Sequence, residues 1–443
     1  MKTRRTDGLI LLVLGAVSFL VIGIAWSRTA LITMGDFKVV YYSARCLLQH
    51  GDPYSEKDVL GVYQGEGRES SEQTITSRRV MTRYFYPPTA FIVTVPFALL
   101  GFGAGHVLWI ALSAGSLILA AILMWDLSAE FAPILSGAVL GFLLMNSFWL
   151  FMIGNSAAIS VGLCVIAVWC FLRDRLALAG IICLALSLAL KPNDSGLVWL
   201  FFLLAGGIFR KRALQTLAVL FALCLGPMLW ITHQSPQWPR EIRANMSSFS
   251  GIGAITDPAA TGKAGNFMDS LVEMQSAVSI LWPDPLTYNS ITYVICGMLL
   301  MIWAFASLRS RSSPAQMWLL LAATASLSML PTYHLQHDAK LLMLTVPACS
   351  VLWAERGAIG WLALLVTGAG VVANGDIFTA IRISLTHQFL VPQPNFPSEM
   401  LTVLLTRPAP LALLVMSIFY LWVCLRRSLV NGTPLALQRR RSI

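Results

Sequence analysis

Apolar residues run through this chain in blocks of about 17 to 22, the length a helix needs to cross a hydrocarbon core. Short polar turns alternate with much longer polar segments between the blocks. Backbone amides in lipid must find partners within their own segment, so the blocks are read as helices. The expected fold is all-α, a polytopic transmembrane bundle of about twelve spans in one domain covering residues 1–443. Its long loops fall at 27–87, 232–287 and 374–406.

Basic residues decide which side each turn faces. Lys2-Thr3-Arg4-Arg5, Arg173-Asp174-Arg175, Arg210-Lys211-Arg212, Arg309-Ser310-Arg311, Arg426-Arg427 and Arg439-Arg440-Arg441 all sit between or beside apolar blocks. Lys and Arg concentrate on the cytoplasmic side of membrane proteins. The chain is therefore placed in the cell or inner membrane with both termini cytoplasmic and the long loops outside. Leu9–Trp26 is the first outward span, without a small-residue cleavage site. From Ser156–Leu172 onward the alternation is regular. Among Pro88–Leu100, His106–Trp125 and Phe131–Phe151, parity allows two full crossings. Phe131–Phe151 is the expected short or re-entrant one, because Gly141, Asn146 and Gly154-Asn155 interrupt it.

Composition agrees and removes alternatives. Hydrophobic residues are 57% of the chain, charged residues 12%, and the net charge is +10. That charge belongs to the turns, and no aromatic-basic reading module accompanies it, so nucleic acid is not an expected partner. Seven of the eight cysteines lie in apolar blocks, which suits small buried side chains better than a disulfide framework. No inverted repeat stands out, and ionisable residues are scarce in mid-span, which weighs against an ion-coupled carrier.

Candidate chemistry collects in the outer loops. In Gly35–Leu48 the positions Phe37, Val40, Tyr41, Ala44, Leu47 and Leu48 recur at helical steps, predicting an amphipathic interfacial helix stopped by a Gly51 cap and Pro53. Asp36 at its start is either an N-cap or a general base for an attacking hydroxyl. Arg83, Tyr86 and the Pro87-Pro88 pair form either an aromatic belt or the rim of a substrate entrance. Lys191, at an outer helix end, is either a snorkelling anchor or a cation for a lipid phosphate. His334, His337 and Asp338 read as interface polar groups, a metal site, or donors to a phosphate or sugar. The absence of a zincin-type Glu or a Cys pair argues against metal, and neither metal nor cofactor is expected. Phe267–Trp282 predicts a second interfacial helix, and Asn245-Met246-Ser247 matches a glycosylation sequon.

Asp36-Phe37, Tyr41, Tyr42, Ala44, Gly51 and Tyr54, then Tyr86-Pro87-Pro88, Pro96, Gly154-Asn155, Ala179-Gly180 and Lys191-Pro192 together resemble glycosyltransferase family 87. These are polyprenol-phosphate-mannose-dependent mannosyltransferases of the GT-C fold. The resemblance implies a polyprenyl-phosphate sugar donor, with mannose as its hexose, and a lipid-linked or glycan acceptor. It also implies inverting transfer at the external face, with Asp36 as base. Lys191, His334 and His337 become candidates to hold the leaving phosphate, with Arg83, Tyr86, Asn155 and Asp338 around the substrates. Asn155 departs from the family's expected Gln-Asn pair. The competing readings are a lipid or glycan transporter, which would need a continuous polar path, and a non-catalytic assembly subunit, which would tolerate Asp36→Asn.

Overall fold

A computed structural model describes residues 2–29, 34–66, 83–250, 254, 256–259, 270–309, 314–389 and 396–431. It is all-α. In chain order the helices are α1 (Lys2–Thr29), α2 (Gly35–Leu48), α3 (Glu56–Gly65), α4 (Phe91–Ala98, after a 3-10 turn Pro88–Ala90), α5 (Phe102–Ser128), α6 (Pro133–Met145), α7 (Trp149–Ile153), α8 (Ala157–Leu172), α9 (Ala177–Leu190) and α10 (Pro192–Ala205). Then come α11 (Gly207–Gln234), α12 (Trp238–Ser250), α13 (Met274–Leu281), α14 (Pro285–Arg309), α15 (Pro314–Leu327), a 3-10 segment (Asp338–Leu344), α16 (Thr345–Ala354), α17 (Ala358–Ala373), α18 (Asp376–Phe389), α19 (Phe396–Thr406) and α20 (Pro408–Asn431).

Among the described residues, six stretches are long and apolar enough to cross a bilayer: Thr3–Arg28, Phe102–Ser128, Pro133–Ile153, Gly207–Gln234, Pro285–Arg309 and Pro408–Arg427. The pair Ala358–Ala373 and Asp376–Arg382, bent by 64°, makes a seventh if counted as one span. Pro88–Ala98, Ala157–Leu172, Ala177–Leu190 and Pro314–Leu327 are shorter apolar helices. The protein is a multi-pass integral membrane protein. Large apolar side chains stay exposed along these helices, such as Val21, Val107, Phe221 and Met301, as lipid-facing surface requires.

The course of residues 88–155 differs from expectation. The short element is Pro88–Ala98, at about 1.5 Å per residue some 16 Å long, roughly half a hydrocarbon core. Pro133–Ile153 is long enough to cross. Gly141, taken as an interruption, is a packing contact. A Cβ on Gly141 would lie 2.6 Å from the Leu11 carbonyl, and one on Gly15 would lie 2.2 Å from the Gly141 carbonyl. With Gly8 against Gly137 the stripe lets α1 and α6 approach backbone to backbone, the usual use of small residues between membrane helices. Asn146 does mark a break, where α6 turns into α7, and Gly154 ends α7.

The loop helices are also corrected. Helix α2 is not laid on a surface, since Phe37 to Ala44 are buried on every face. The left-handed residue after it is His50 at φ 63°, while Gly51 donates its amide to the Cys46 carbonyl at 2.9 Å. Phe267–Asp269 lie outside the described residues, and the helix predicted there begins only at Met274. Leu271–Glu273 is extended instead, because it pairs with the His334 segment: the Val272 amide donates to His334 O at 3.1 Å and the Gln336 amide to Ser270 O at 2.9 Å. Asn245 of the sequon uses its amide to bridge the carbonyls of Tyr54 and Tyr84, at 3.0 Å each.

The two ends of the bundle differ in chemistry. At one end Arg173 pairs with Asp126 at 3.1 Å and Glu130 at 2.9 Å, Arg212 pairs with Asp174, and Arg427 pairs with Glu355. Helix α8 runs from Asn155 to Arg173, and α9 runs back from Arg175 to Lys191. The polar residues singled out in the outer loops therefore gather at the end opposite the basic turns.

Candidate active site

The site forms where helices break. Gly154 ends α7 with φ 66°, a left-handed turn in which a Cβ would meet Met34 and Phe37 at 2.7 and 2.8 Å. Only glycine fits this turn without strain. Its carbonyl accepts from Trp109 Nε1 at 2.9 Å, and the Met34 amide donates to Met152 O at 2.5 Å. These contacts dock the start of α2 against the α7–α8 turn. They bring Asn155 to Asp36.

Asp36 lies in the first turn of α2, whose N-cap is Met34 with no side-chain capping bond. Its carboxylate instead accepts from Asn155 Nδ2 at 2.6 Å, while Asn155 Oδ1 accepts the Ala157 amide at 2.8 Å. Asp36 is half-buried, leaving one edge open. Burial raises its pKa above the ordinary 3.8, and Asp338 adds to that; the Asn155 bond and the Lys191 ammonium oppose it. Beside it the Tyr86 hydroxyl accepts from Ser156 Oγ at 3.1 Å, and the Tyr86 carbonyl accepts from Tyr54 at 3.0 Å.

Lys191 stands in the break between α9 and α10, where Pro192 starts the next helix. Its ammonium bonds the Asp338 carboxylate and lies 3.6 Å from Asp194 Oδ1. Burial alone would lower its pKa, but Asp194 and Asp338 outweigh that and raise it. Burial would likewise lift Asp338, whose other oxygen holds the Leu335 amide at 3.0 Å, yet the Lys191 ammonium holds it below the carboxylate range. Burial pushes His337 down to about 3 and His334 down as well, so both are neutral at pH 7. His334 Nδ1 donates to Thr332 O at 2.9 Å, which leaves Nε2 to accept from Asn193 Nδ2 at 3.2 Å.

Asp36, Tyr86, Asn155, Lys191, His334, His337 and Asp338 thus converge. Arg83 does not join them, since its guanidinium pairs with Glu56 on α3 at 3.2 Å. Asp194, His334 and Asp338 place one ligand atom each within 4.8 Å of one another, a spacing that suits a cation. The ammonium of Lys191 is the cation that bonds Asp338 and pairs at longer range with Asp194 in this structure.

The structure adds residues not singled out in the sequence. Asp194 is buried, and among the described residues neither of its oxygens accepts a hydrogen bond, Lys191 Nζ lying 3.6 Å away. Glu273 accepts the His334 amide at 3.3 Å, and burial lifts its carboxyl to about 7. Lys340 lies behind the site with its ammonium 2.8 Å from Asn146 O, 3.4 Å from Asn374 O and 3.5 Å from Asp376 Oδ1. Asp376 in turn accepts the Trp149 amide at 2.7 Å, so one buried cation joins the α6–α7 and α17–α18 breaks. The signal for Lys340 was in the sequence: a lysine at the head of the apolar run Ala339–Ala354.

A bundle of membrane-crossing helices whose broken ends enclose an acid–base cluster, opposite a basic end, defines a membrane protein with an enclosed polar site. The chain belongs to glycosyltransferase family 87, whose sequence model matches residues 84–331, and it is a membrane glycosyltransferase. No curated protein matches it.

Proposed function

We propose that the protein moves a hexose, mannose, from a polyprenyl-phosphate donor to a hydroxyl of a lipid-linked or glycan acceptor. In this reading the chain is a single GT-C domain of about twelve spans: the six long stretches and the bent pair, with α8, α9, α10, α15 and α16 also crossing and Pro88–Ala98 not. Its basic end faces the cytoplasm with both termini, and its polar cluster faces outward. Asp36 takes the proton of the acceptor hydroxyl. The freed oxygen attacks the anomeric carbon from the face opposite the phosphate, and the carbon–oxygen bond to phosphate breaks as polyprenyl phosphate departs with the electron pair. The configuration inverts. Lys191 stands where charge grows on the leaving oxygen, and fixed cations at such a point are worth most in a site that excludes water. His334, His337, Asp338, Tyr86 and Asn155 surround the two substrates. Arg83, paired with Glu56, serves the outer rim.

The observation that carries the proposal is Asp36 itself: a half-buried carboxylate that caps no helix, is oriented by Asn155 and feels Lys191 and Asp338. Burial that raises the pKa of a carboxylate makes it a better base near neutral pH. The test is transfer from labelled polyprenyl-phosphate mannose in reconstituted membranes. Asp36→Asn should lose about a hundredfold or more in rate with donor binding little changed. Equal turnover by both proteins would remove Asp36 from the chemistry. Donor binding without turnover by either would point to carriage or assembly instead.

A further inference from the structure

The bundle has a second built feature, at its basic end. A cavity of about 790 Å³ opens there between α1, α6 and the α16–α17 turn, lined among others by Arg4, Pro133, Leu135, Trp353, Arg356 and Trp361. None of these residues belongs to the site described above. Three properties of the cavity point to the same kind of ligand.

The first is charge. Most nearby carboxylates are committed elsewhere, Glu355 to Arg427, Asp126 and Glu130 to Arg173, and Asp174 to Arg212; Asp7, one turn along α1 from Arg4, is exposed and does not line the cavity. Arg4 and Arg356 have no ion-pair partner among the described residues. The second is the backbone. Helices α6 and α17 both begin at the cavity, and neither N-cap, Ala132 or Gly357, makes a side-chain capping bond. The first-turn residues Ile134, Leu135 and Ala358 line the cavity, so two positive helix ends add to two guanidiniums. The third is the rim. Phe131, Ile134 and Trp361 are exposed there, and Leu365, one turn further along α17, continues the apolar track away from the basic end. Trp353 and Trp361 pack edge to face, with centroids 4.6 Å apart.

We infer that this cavity holds the phosphate headgroup of an anionic glycerophospholipid from the leaflet that meets the basic turns. The phosphodiester sits between Arg4 and Arg356, and an acyl chain follows Trp361 and Leu365. Basic pockets between membrane helices recognise lipid headgroups in this way, and a free anion would have no use for the apolar track. The bound lipid would tie α1 to the α16–α17 turn at the end opposite the transfer chemistry.

The test is native mass spectrometry of the full chain, delipidated and then titrated with phosphatidylglycerol, phosphatidylcholine or inorganic phosphate. Wild type should retain one tightly held phosphatidylglycerol and no comparable phosphatidylcholine. Arg4→Gln with Arg356→Gln should weaken the phosphatidylglycerol about thirtyfold, from a factor of about five per basic residue. Arg210→Gln with Lys211→Gln removes the same charge at the same end and should leave that lipid bound. If this control loses it equally, or the cavity variant keeps it, the site is only diffuse surface charge and the inference fails. Displacement of the lipid by millimolar inorganic phosphate would also overturn it, in favour of a free-anion site. Should the glutamine pair not fold, Arg4→Lys with Arg356→Lys must retain most of the binding; its loss there would count against the assignment.

Discussion

The contact between Asn155 and Asp36 gives the most discriminating prediction. Asn155→Ala removes the side-chain donor that fixes the Asp36 carboxylate, a bond of 2.6 Å to a charged acceptor. Hydrogen bonds to charged groups are worth about 1.5–3 kcal/mol, so kcat should fall about tenfold to a hundredfold if the bond only orients Asp36. The same bond lowers the Asp36 pKa against the effect of burial. Without it the pKa rises further, and the acid limb of kcat/KM, which climbs as the base loses its proton, should move to higher pH. The assay is transfer from labelled polyprenyl-phosphate mannose across a pH series, for wild type, both single variants and Asp36→Asn with Asn155→Ala. Because Asn155 acts through Asp36, the double variant should be no slower than Asp36→Asn alone. Asn155→Ala also frees the Ala157 amide, held at 2.8 Å, so Asn155→Ser, which can keep that acceptor, separates lost stability from lost orientation. Fully additive losses with an unmoved acid limb would refute the reasoning.

Three further outcomes follow from the same geometry. Lys191→Met should lower kcat by about a hundredfold or more, the scale for one lost group at a developing negative charge, with inversion of the product retained in what turnover remains. Lys340→Met should destabilise the protein by about 3–5 kcal/mol, because it strands the buried Asp376 carboxylate; adding Asp376→Asn should restore much of the loss in a thermal-melt comparison. Glu273 keeps its proton in the folded state up to about 7 but would lose it near 4.5 when unfolded. Stability from this group is therefore fully present below 4.5 and declines as pH rises to 7, by about 3 kcal/mol, and Glu273→Gln should flatten the melting temperature across that interval.

The linear pattern was enough for the class of protein, because lipid leaves a spanning backbone few choices. Length and hydropathy marked most of the helices, and the basic turns gathered at one end as charge alone required. The order of short motifs pointed to the family. The site was legible where a residue type was out of place, as with a carboxylate after the first span or a lysine at a helix end away from the basic turns. Tertiary structure decided the rest. Gly141 reads identically in one dimension whether it breaks a helix or admits another one, and only the backbone of α1 beside it tells which. Asp36 at a helix start looks like a cap until the turn at Gly154 turns Asn155 toward it. Asp194 and Glu273 acquired meaning only when α10 and the extended segment at 271–273 met the His334–Asp338 turn. Hydropathy is a property of a segment, whereas a desolvated charge is defined by partners that lie tens to hundreds of residues away along the chain.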